Sequence, residues 1–107
     1  MNEIFKALSD PTRRKVLELL RRRPMTAGEI AGHFVFSKPT MSAHFAVLRG
    51  ADLVGQEKVG REVIYRLKMS VLEEALLSFA QAVGFEFLPR ARRSAYKGKA
   101  KKEETSP

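Results

Sequence analysis

The 107-residue sequence contains no cysteine and no tryptophan, and aromatic residues make up only 8% of it. Without cysteine the chain cannot form disulfides, bind a metal through thiolates or use a thiol as a redox switch. It also lacks an apolar run near the roughly 18 residues that cross a bilayer, and its first residues do not resemble a secretory leader. We therefore expect a cytoplasmic protein that does not insert into a membrane.

Acidic residues are scarce relative to basic ones, with 12 Asp and Glu against 20 Lys and Arg and a net charge of +8. This surplus favours a polyanionic partner, either nucleic acid or an acidic membrane surface. Residues 90–107 hold seven basic and two acidic side chains, net +5, and residues 1–89 hold 13 and 10, net +3. Because Tyr96 is the one large apolar residue after position 89, we predict a single domain over 1–88 and a disordered basic tail over 89–107.

Helix start signals divide the first part of the chain. The apolar spacing in Asn2–Leu8 predicts a first helix. Asp10 followed by Pro11 predicts the cap and the first helical position of a second helix. Thr26 and Glu29 have the spacing of a capping box, in which a hydroxyl and a carboxylate each accept a backbone N–H bond at the start of a helix.

Two short helices, over Ala27–Phe34 and Lys38–Ala51, are predicted with a tight turn between them. Ser37 is expected to cap the second of these helices. Its inward positions follow helical spacing and are Met41, Phe45 and Leu48. Its outer face is small and polar, and the segment contains no carboxylate. A solvated helix face in a chain with 30% charged residues would normally carry Glu, so this face is a candidate for contact with a polyanion.

A β-hairpin and a final helix are predicted after these two helices. Two β-prone runs, over 53–57 and Glu62–Leu67, flank a cationic tip that contains Lys58 and Arg61. A second capping box, formed by Ser70 and Glu73, predicts a helix that runs to about position 83 and stops at a glycine. The apolar positions of this last helix cover more than one face, so it needs a second partner besides its own domain.

The order of these elements describes a winged helix-turn-helix, a mainly α fold with a β-hairpin wing between the fourth and fifth helices. A helix fits the major groove of DNA, and a face that reads base edges needs short donors and acceptors without repelling carboxylates. The positive end of the helix dipole at Ser37 favours a nearby phosphate. Lys58 and Arg61 on the hairpin can reach an adjacent phosphate backbone or minor groove.

Three segments, Phe5–Leu20, Met25–Phe34 and Ser37–Val54, resemble the ArsR/SmtB family of dimeric winged-helix repressors, and above all its SdpR-like autorepressor branch. The resemblance spans roughly residues 2–84. It implies a homodimer formed through the first and last helices, which would cover the second apolar face of the last helix. The implied interface residues are Ile4, Phe5, Leu8, Leu72, Leu76, Phe79 and Val83.

The resemblance also implies which residues contact bases and phosphates. In and just before the second helix of the motif they are Ser37, Lys38, Thr40, Ser42, Ala43 and His44. Lys38 stands where the family often has Gln and could read guanine, whereas Ala43 stands where a polar residue is common, so one contact would be missing. Two alternatives stay open: His44 could pack between the two helices of the motif, and Lys58 and Arg61 could protect an exposed hairpin from aggregation.

Cofactors and catalysis are not expected. Many members of the family sense metals through cysteines or through Asp and His pairs on the last helix, and this chain has neither pattern; we predict no metal site and no cofactor. The sequence shows no nucleophile with a partnered base, no paired carboxylates and no phosphate-binding glycine loop, so an enzyme is not expected.

The sequence therefore predicts a homodimeric, sequence-specific DNA-binding transcriptional repressor. Its operator would be an inverted repeat of double-stranded DNA, and its own promoter would be one target. Two alternatives remain at this point. The chain could be a protein-interaction module captured by a membrane anti-repressor, or its basic tail could bind nucleic acid without sequence preference.

Overall fold

The structure, a computed structural model, describes residues 2–85, and this part of the chain contains five helices and a small three-stranded antiparallel sheet. In chain order the elements are α1 (Asn2–Leu8), α2 (Pro11–Arg22), β1 (Met25–Thr26), α3 (Ala27–Ala31), α4 (Lys38–Gly50), β2 (Val54–Val59), β3 (Glu62–Leu67) and α5 (Met69–Ala82). The predicted class, mainly α with a hairpin wing, is confirmed. The predicted tail over 89–107 lies outside the described residues.

The helix caps form as local chemistry predicts. One carboxylate oxygen of Asp10 accepts the backbone N–H groups of Thr12 at 2.8 Å and Arg13 at 3.1 Å, at the start of α2. At the start of α3 the Thr26 hydroxyl accepts the N–H of Glu29 at 3.0 Å, and the Glu29 carboxylate accepts the N–H of Thr26 at 2.9 Å. These bonds satisfy donors that the first turn of a helix otherwise leaves unpaired.

Two predicted helix boundaries are wrong. The helix predicted over Ala27–Phe34 ends at Ala31, because the N–H groups of His33 and Phe34 donate to carbonyls only three residues earlier, as in the 3.0 Å bond from Phe34 to Ala31. The capping box predicted at Ser70 does not form, since α5 begins at Met69 and Ser70 lies inside it. The N–H of Lys68 donates to the carbonyl of Leu53, just before β2, at 2.9 Å, and α5 begins at the next residue.

The sheet has one strand more than predicted. Met25 and Thr26 form β1, which pairs with β3 opposite Tyr65 and Ile64, so the strand order is β1-β3-β2. The hairpin is also longer than predicted, because β2 continues to Val59. Only two residues, Gly60 with a φ of +63° and Arg61, remain as its turn, so Lys58 lies in the strand and not at the tip.

The core lies in the first compact unit of the chain, which ends at Leu76. Its most completely buried large side chains are Val16, Ile30, Met41, Leu48 and Leu53. Met41, Phe45 and Leu48 are buried as their spacing predicts. The ring of Phe45 stacks on Tyr65 with centroids 4.7 Å apart, which joins α4 to the sheet. The inner side of α4 is thereby fixed, and its opposite side is left for solvent or a ligand.

Removing the Asp10 cap should destabilise the fold. We expect Asp10→Ala to lower the free energy of unfolding by about 0.5–2 kcal/mol in urea denaturation, because two N–H groups of α2 lose their acceptor. Asp10→Asn is the matched control, since an amide oxygen still accepts these bonds and should preserve more of the stability. Equal losses in the two variants would contradict a capping role.

The contribution of Asp10 to the stability of the fold should depend on pH. Desolvation raises the pKa of Asp10, but the N–H bonds from Arg13 and Thr12 and the charges of His44 and Arg13 outweigh it, so the pKa lies below its ordinary value of 3.8. A carboxyl whose pKa is lower in the folded state stabilises that state when ionised. The stability difference between wild type and Asp10→Asn should therefore be complete above pH 3.8 and shrink as the pH falls through the folded-state pKa.

Candidate nucleic-acid interface

The outer side of α4 exposes the residues that the sequence predicts for DNA contact. Five of the predicted positions on this helix and its cap are exposed, namely Ser37, Lys38, Thr40, Ser42 and Ala43. Because Met41 and Phe45 point into the core, these five side chains occupy the part of the helix that is free to enter a groove. No Asp or Glu occurs between Glu29 and Asp52, so no carboxylate on α4 repels a phosphate.

The first turn of α4 combines a helix dipole with hydroxyl groups. The Ser37 hydroxyl accepts the N–H of Thr40 at 3.3 Å and donates to the Thr40 hydroxyl oxygen at 3.0 Å. In this arrangement the Thr40 hydroxyl keeps its own proton for donation to a ligand. The Lys38 side chain has no hydrogen bond or ion pair among residues 2–85. The first turn of α4 therefore combines the Lys38 cation, the free hydroxyl proton of Thr40 and the positive end of the helix dipole.

His44 is placed differently from the other candidates. Its side chain is only 15% exposed, and its Nδ1 lies 3.1 Å from Nη1 of Arg13 and 4.0 Å from the Asp10 carboxylate. Since a guanidinium can only donate, the contact with Arg13 is a hydrogen bond in the neutral form of the ring that leaves Nδ1 as the acceptor. The ring also meets Phe36 edge-on at 6.3 Å. His44 therefore contacts the start of α2 and the turn that joins α3 to α4.

Arg13 links three helices through this contact, and the sequence analysis did not identify it. Its Nε donates to the Ala7 carbonyl at 3.0 Å and its Nη2 to the Lys6 carbonyl at 2.9 Å. These carbonyls lie at the C-terminal end of α1, where a cation is favoured. With Nη1 on His44, one guanidinium joins the end of α1 and the start of α2 to the middle of α4. The two partners are 31 residues apart, so no local sequence signal indicates the contact.

The hairpin presents two further cations. Lys58 and Arg61 are exposed, and neither side chain has a hydrogen bond or ion pair within the described part of the chain. The base of the hairpin is tied to α4 through Arg49, whose Nη1 lies 3.4 Å from Gln56 Oε1 and 3.4 Å from the Tyr65 hydroxyl. The hairpin is therefore attached to α4 while its turn carries a free positive charge.

The predicted dimer residues differ in exposure. Ile4, Leu8 and Leu72 are half-buried and pack against the core, and Phe5 is also half-buried. Leu76 is 38% exposed. Phe79 and Val83, in the second compact unit, are 43% and 55% exposed. The large apolar side chains that stay exposed along α5 make this helix a candidate interaction surface.

Residues 2–85 contain no group of three or more His, Asp or Glu side chains placed to hold a metal ion. None of their helices combines the length and apolar content that a membrane span requires.

The structure thus has a helix-turn-helix with an exposed polar second helix and a hairpin attached to it, which defines a winged helix-turn-helix regulator. Residues 10–55 match the model of the arsR family of bacterial regulatory proteins. The chain is 46% identical over 76 residues to the transcriptional repressor SdpR of Bacillus subtilis. The aligned residues make up 71% of this chain and 84% of SdpR.

Two further relatives agree with this match. The arsenical resistance operon repressor of Staphylococcus xylosus is 37% identical over 73 residues, covering 68% of this chain and 70% of the relative. The crystal structure of an ArsR family transcriptional regulator superposes with a TM-score of 0.69 at 34% identity, covering 77% of this chain and 92% of the other. The chain belongs to the ArsR family.

Proposed function

We propose that this protein is a cytoplasmic DNA-binding transcriptional repressor that acts as a homodimer on an inverted-repeat operator. The observation that carries the proposal is the exposed side of α4, which offers hydroxyls and a free lysine without any carboxylate. Its polar groups suit the donor and acceptor pattern of the major groove. Two relatives described above, SdpR and the arsenical resistance operon repressor, are repressors and support the same proposal.

A two-fold symmetric pair would explain both the apolar surface and the operator. If α1 and α5 pair across the axis, the two copies of α4 can enter successive major grooves about 34 Å apart. Symmetric pairs of this kind are the commonest protein oligomers. Bound at a promoter, the dimer would block transcription, and the likeness to an autorepressor branch makes the protein's own promoter the first target to test.

Selection from random duplexes tests the proposal. Purified protein should enrich an inverted repeat, and its affinity should fall steeply as salt rises, since each neutralised phosphate contributes a log–log slope of about −0.9. A reporter driven by the protein's own promoter should be silenced when the protein is expressed. Binding that shows no enriched sequence, or no salt dependence, would contradict sequence-specific repression.

Single substitutions should separate base contacts from phosphate contacts. We expect Lys38→Ala and Thr40→Ala each to lose about 1–3 kcal/mol on the selected operator and to change which base is preferred. Arg61→Ala should weaken all duplexes alike and reduce the salt slope by about 1. Lys15→Ala on α2 is the control, because it removes the same charge away from α4 and should leave affinity nearly unchanged. Equal losses on specific and random DNA for the two α4 variants would contradict this division.

A further inference from the structure

The turn between α3 and α4 exposes two apolar side chains that the proposed contacts do not use. Val35 is 99% exposed and Phe36 is 46% exposed. We call these two residues the turn patch. Single exposed apolar residues are common on protein surfaces, so exposure alone does not make this patch functional. Two features set this patch apart, namely the aromatic rings that hold the turn and its position next to α4.

The turn patch is held in place. The Phe36 ring stacks on Phe34 with centroids 6.0 Å apart and planes 25° apart, and it meets His44 edge-on at 6.3 Å. Phe34 packs against the core, and His44 is fixed by Arg13. Aromatic pairs in these geometries are favourable. Val35 is therefore presented to solvent from a well-supported turn.

The turn patch is also continuous with the proposed DNA-binding surface. Phe36 directly precedes Ser37, the cap of α4, and the exposed polar side chains of Lys38 and Thr40 follow in the first turn. The nearest acidic residues along the chain are Glu29 and Asp52. The Asp10 carboxylate lies 4.0 Å from Nδ1 of His44, but it already accepts two N–H groups at the start of α2. The segment that carries the patch adds a lysine and no carboxylate, which a site on DNA needs and a site for a protein partner does not. The charge around the patch therefore favours DNA as its occupant.

The major groove contains one apolar group, the C5-methyl of thymine, which apolar protein side chains read by contact. We propose that the turn patch is a thymine-reading element, in which Val35 contacts a thymine methyl and the stacked rings of Phe34 and Phe36 hold the turn that carries it. This inference rests on the proposed function, because it requires α4 to enter the major groove. It adds base discrimination at a residue that carries no hydrogen-bonding side chain.

Replacing thymine by uracil removes that methyl group and leaves the hydrogen-bonding edge intact. The operator selected from random duplexes by the wild-type protein is prepared once with thymine and once with uracil. Wild type should bind the thymine form more tightly, by about fourfold for each contacted methyl. Val35→Thr has nearly the same shape but replaces a methyl by a hydroxyl. It should bind the thymine form less tightly than wild type does. Its preference for the thymine form over the uracil form should also be smaller, by the factor that the Val35 contact contributes.

Controls separate this effect from a general loss of binding. Arg61→Ala should weaken both forms by the same factor and keep the wild-type ratio, since a phosphate contact is indifferent to the methyl. Val35→Thr should unfold at the wild-type temperature, because Val35 is almost fully exposed. Single thymine-to-uracil replacements across one half-site should locate the sensitive position, and Val35→Thr should be insensitive to that same replacement.

The outcomes distinguish the two proposals. A selection that enriches no sequence would overturn the proposed function and the thymine reading with it. An enriched operator that loses the same factor on uracil substitution with wild type and with Val35→Thr would overturn the thymine reading alone. Unchanged affinity of Val35→Thr for both forms would likewise exclude the turn patch from the DNA interface.

Discussion

Ser42→Glu is expected to lower operator affinity by at least about 100-fold without unfolding the protein. Ser42 is exposed on α4, and the helix carries no carboxylate. A glutamate there would bring a negative charge against phosphates and base edges, and juxtaposed like charges cost several kcal/mol at an interface. Because 1.4 kcal/mol corresponds to a tenfold change in affinity, a loss of this size follows from about 2.8 kcal/mol. Fluorescence anisotropy with the selected duplex measures it.

Ser70→Glu is the matched control for this experiment. It makes the same substitution at an exposed position of a helix and changes the net charge equally, but it lies in the first turn of α5. A carboxylate near a helix N-terminus is favourable, so this variant should fold at least as well as wild type and bind DNA nearly as tightly. If the two variants lose affinity equally, total charge and not the face of α4 controls binding.

The parts of the fold that depend on neighbours in sequence were predictable. The caps at Asp10, Thr26 and Ser37 each use a side chain within three residues of the N–H group it accepts, so their spacing indicates them. The buried side of α4 follows from helical periodicity in the same way. The exposed side of α4 was predictable for a related reason, since what does not pack inward on such a helix must face outward.

The missed features depend on distant residues. Strand β1 is two residues long and exists because Met25 lies opposite Tyr65 in β3, 40 positions later. A strand this short has no alternating pattern to detect. Helix α5 begins at Met69, directly after Lys68, whose N–H bonds to the distant Leu53 carbonyl, so the local capping signal at Ser70 does not mark its start.

Dependence on distant residues also explains why the contact of Arg13 with His44 could not be predicted from the sequence. The contact between Arg13 and His44 joins α2 to α4 and depends on how these helices pack. A histidine on a helix gives no signal for which side it faces, whereas a face without carboxylates is visible in the sequence itself. The exposed surface of α4 and the local caps were therefore predictable, whereas a contact between side chains far apart in sequence was not.

The second large effect concerns the apolar surface of α5, and Leu76→Glu is expected to convert a dimer into a monomer. Leu76 is 38% exposed although leucine gains by burial. It lies four residues after Leu72, which packs on the core, so the two are neighbours on one side of the helix. If this side forms the symmetric interface, a glutamate would place two charges near each other in an apolar contact, where unpaired charges are strongly destabilising.

Loss of the dimer should in turn remove most of the DNA affinity. A dimer engages the second half-site at the high effective concentration set by the first, which adds 10²–10⁴-fold to overall affinity. Leu76→Glu should therefore sediment as a monomer at micromolar concentration and bind the inverted repeat at least about 100-fold more weakly, close to its affinity for one half-site. Ser70→Glu, on the same helix but six residues away, should remain dimeric. A Leu76→Glu protein that stays dimeric and binds as wild type does would place the two-fold interface elsewhere and would leave the exposed leucine unexplained by dimerisation.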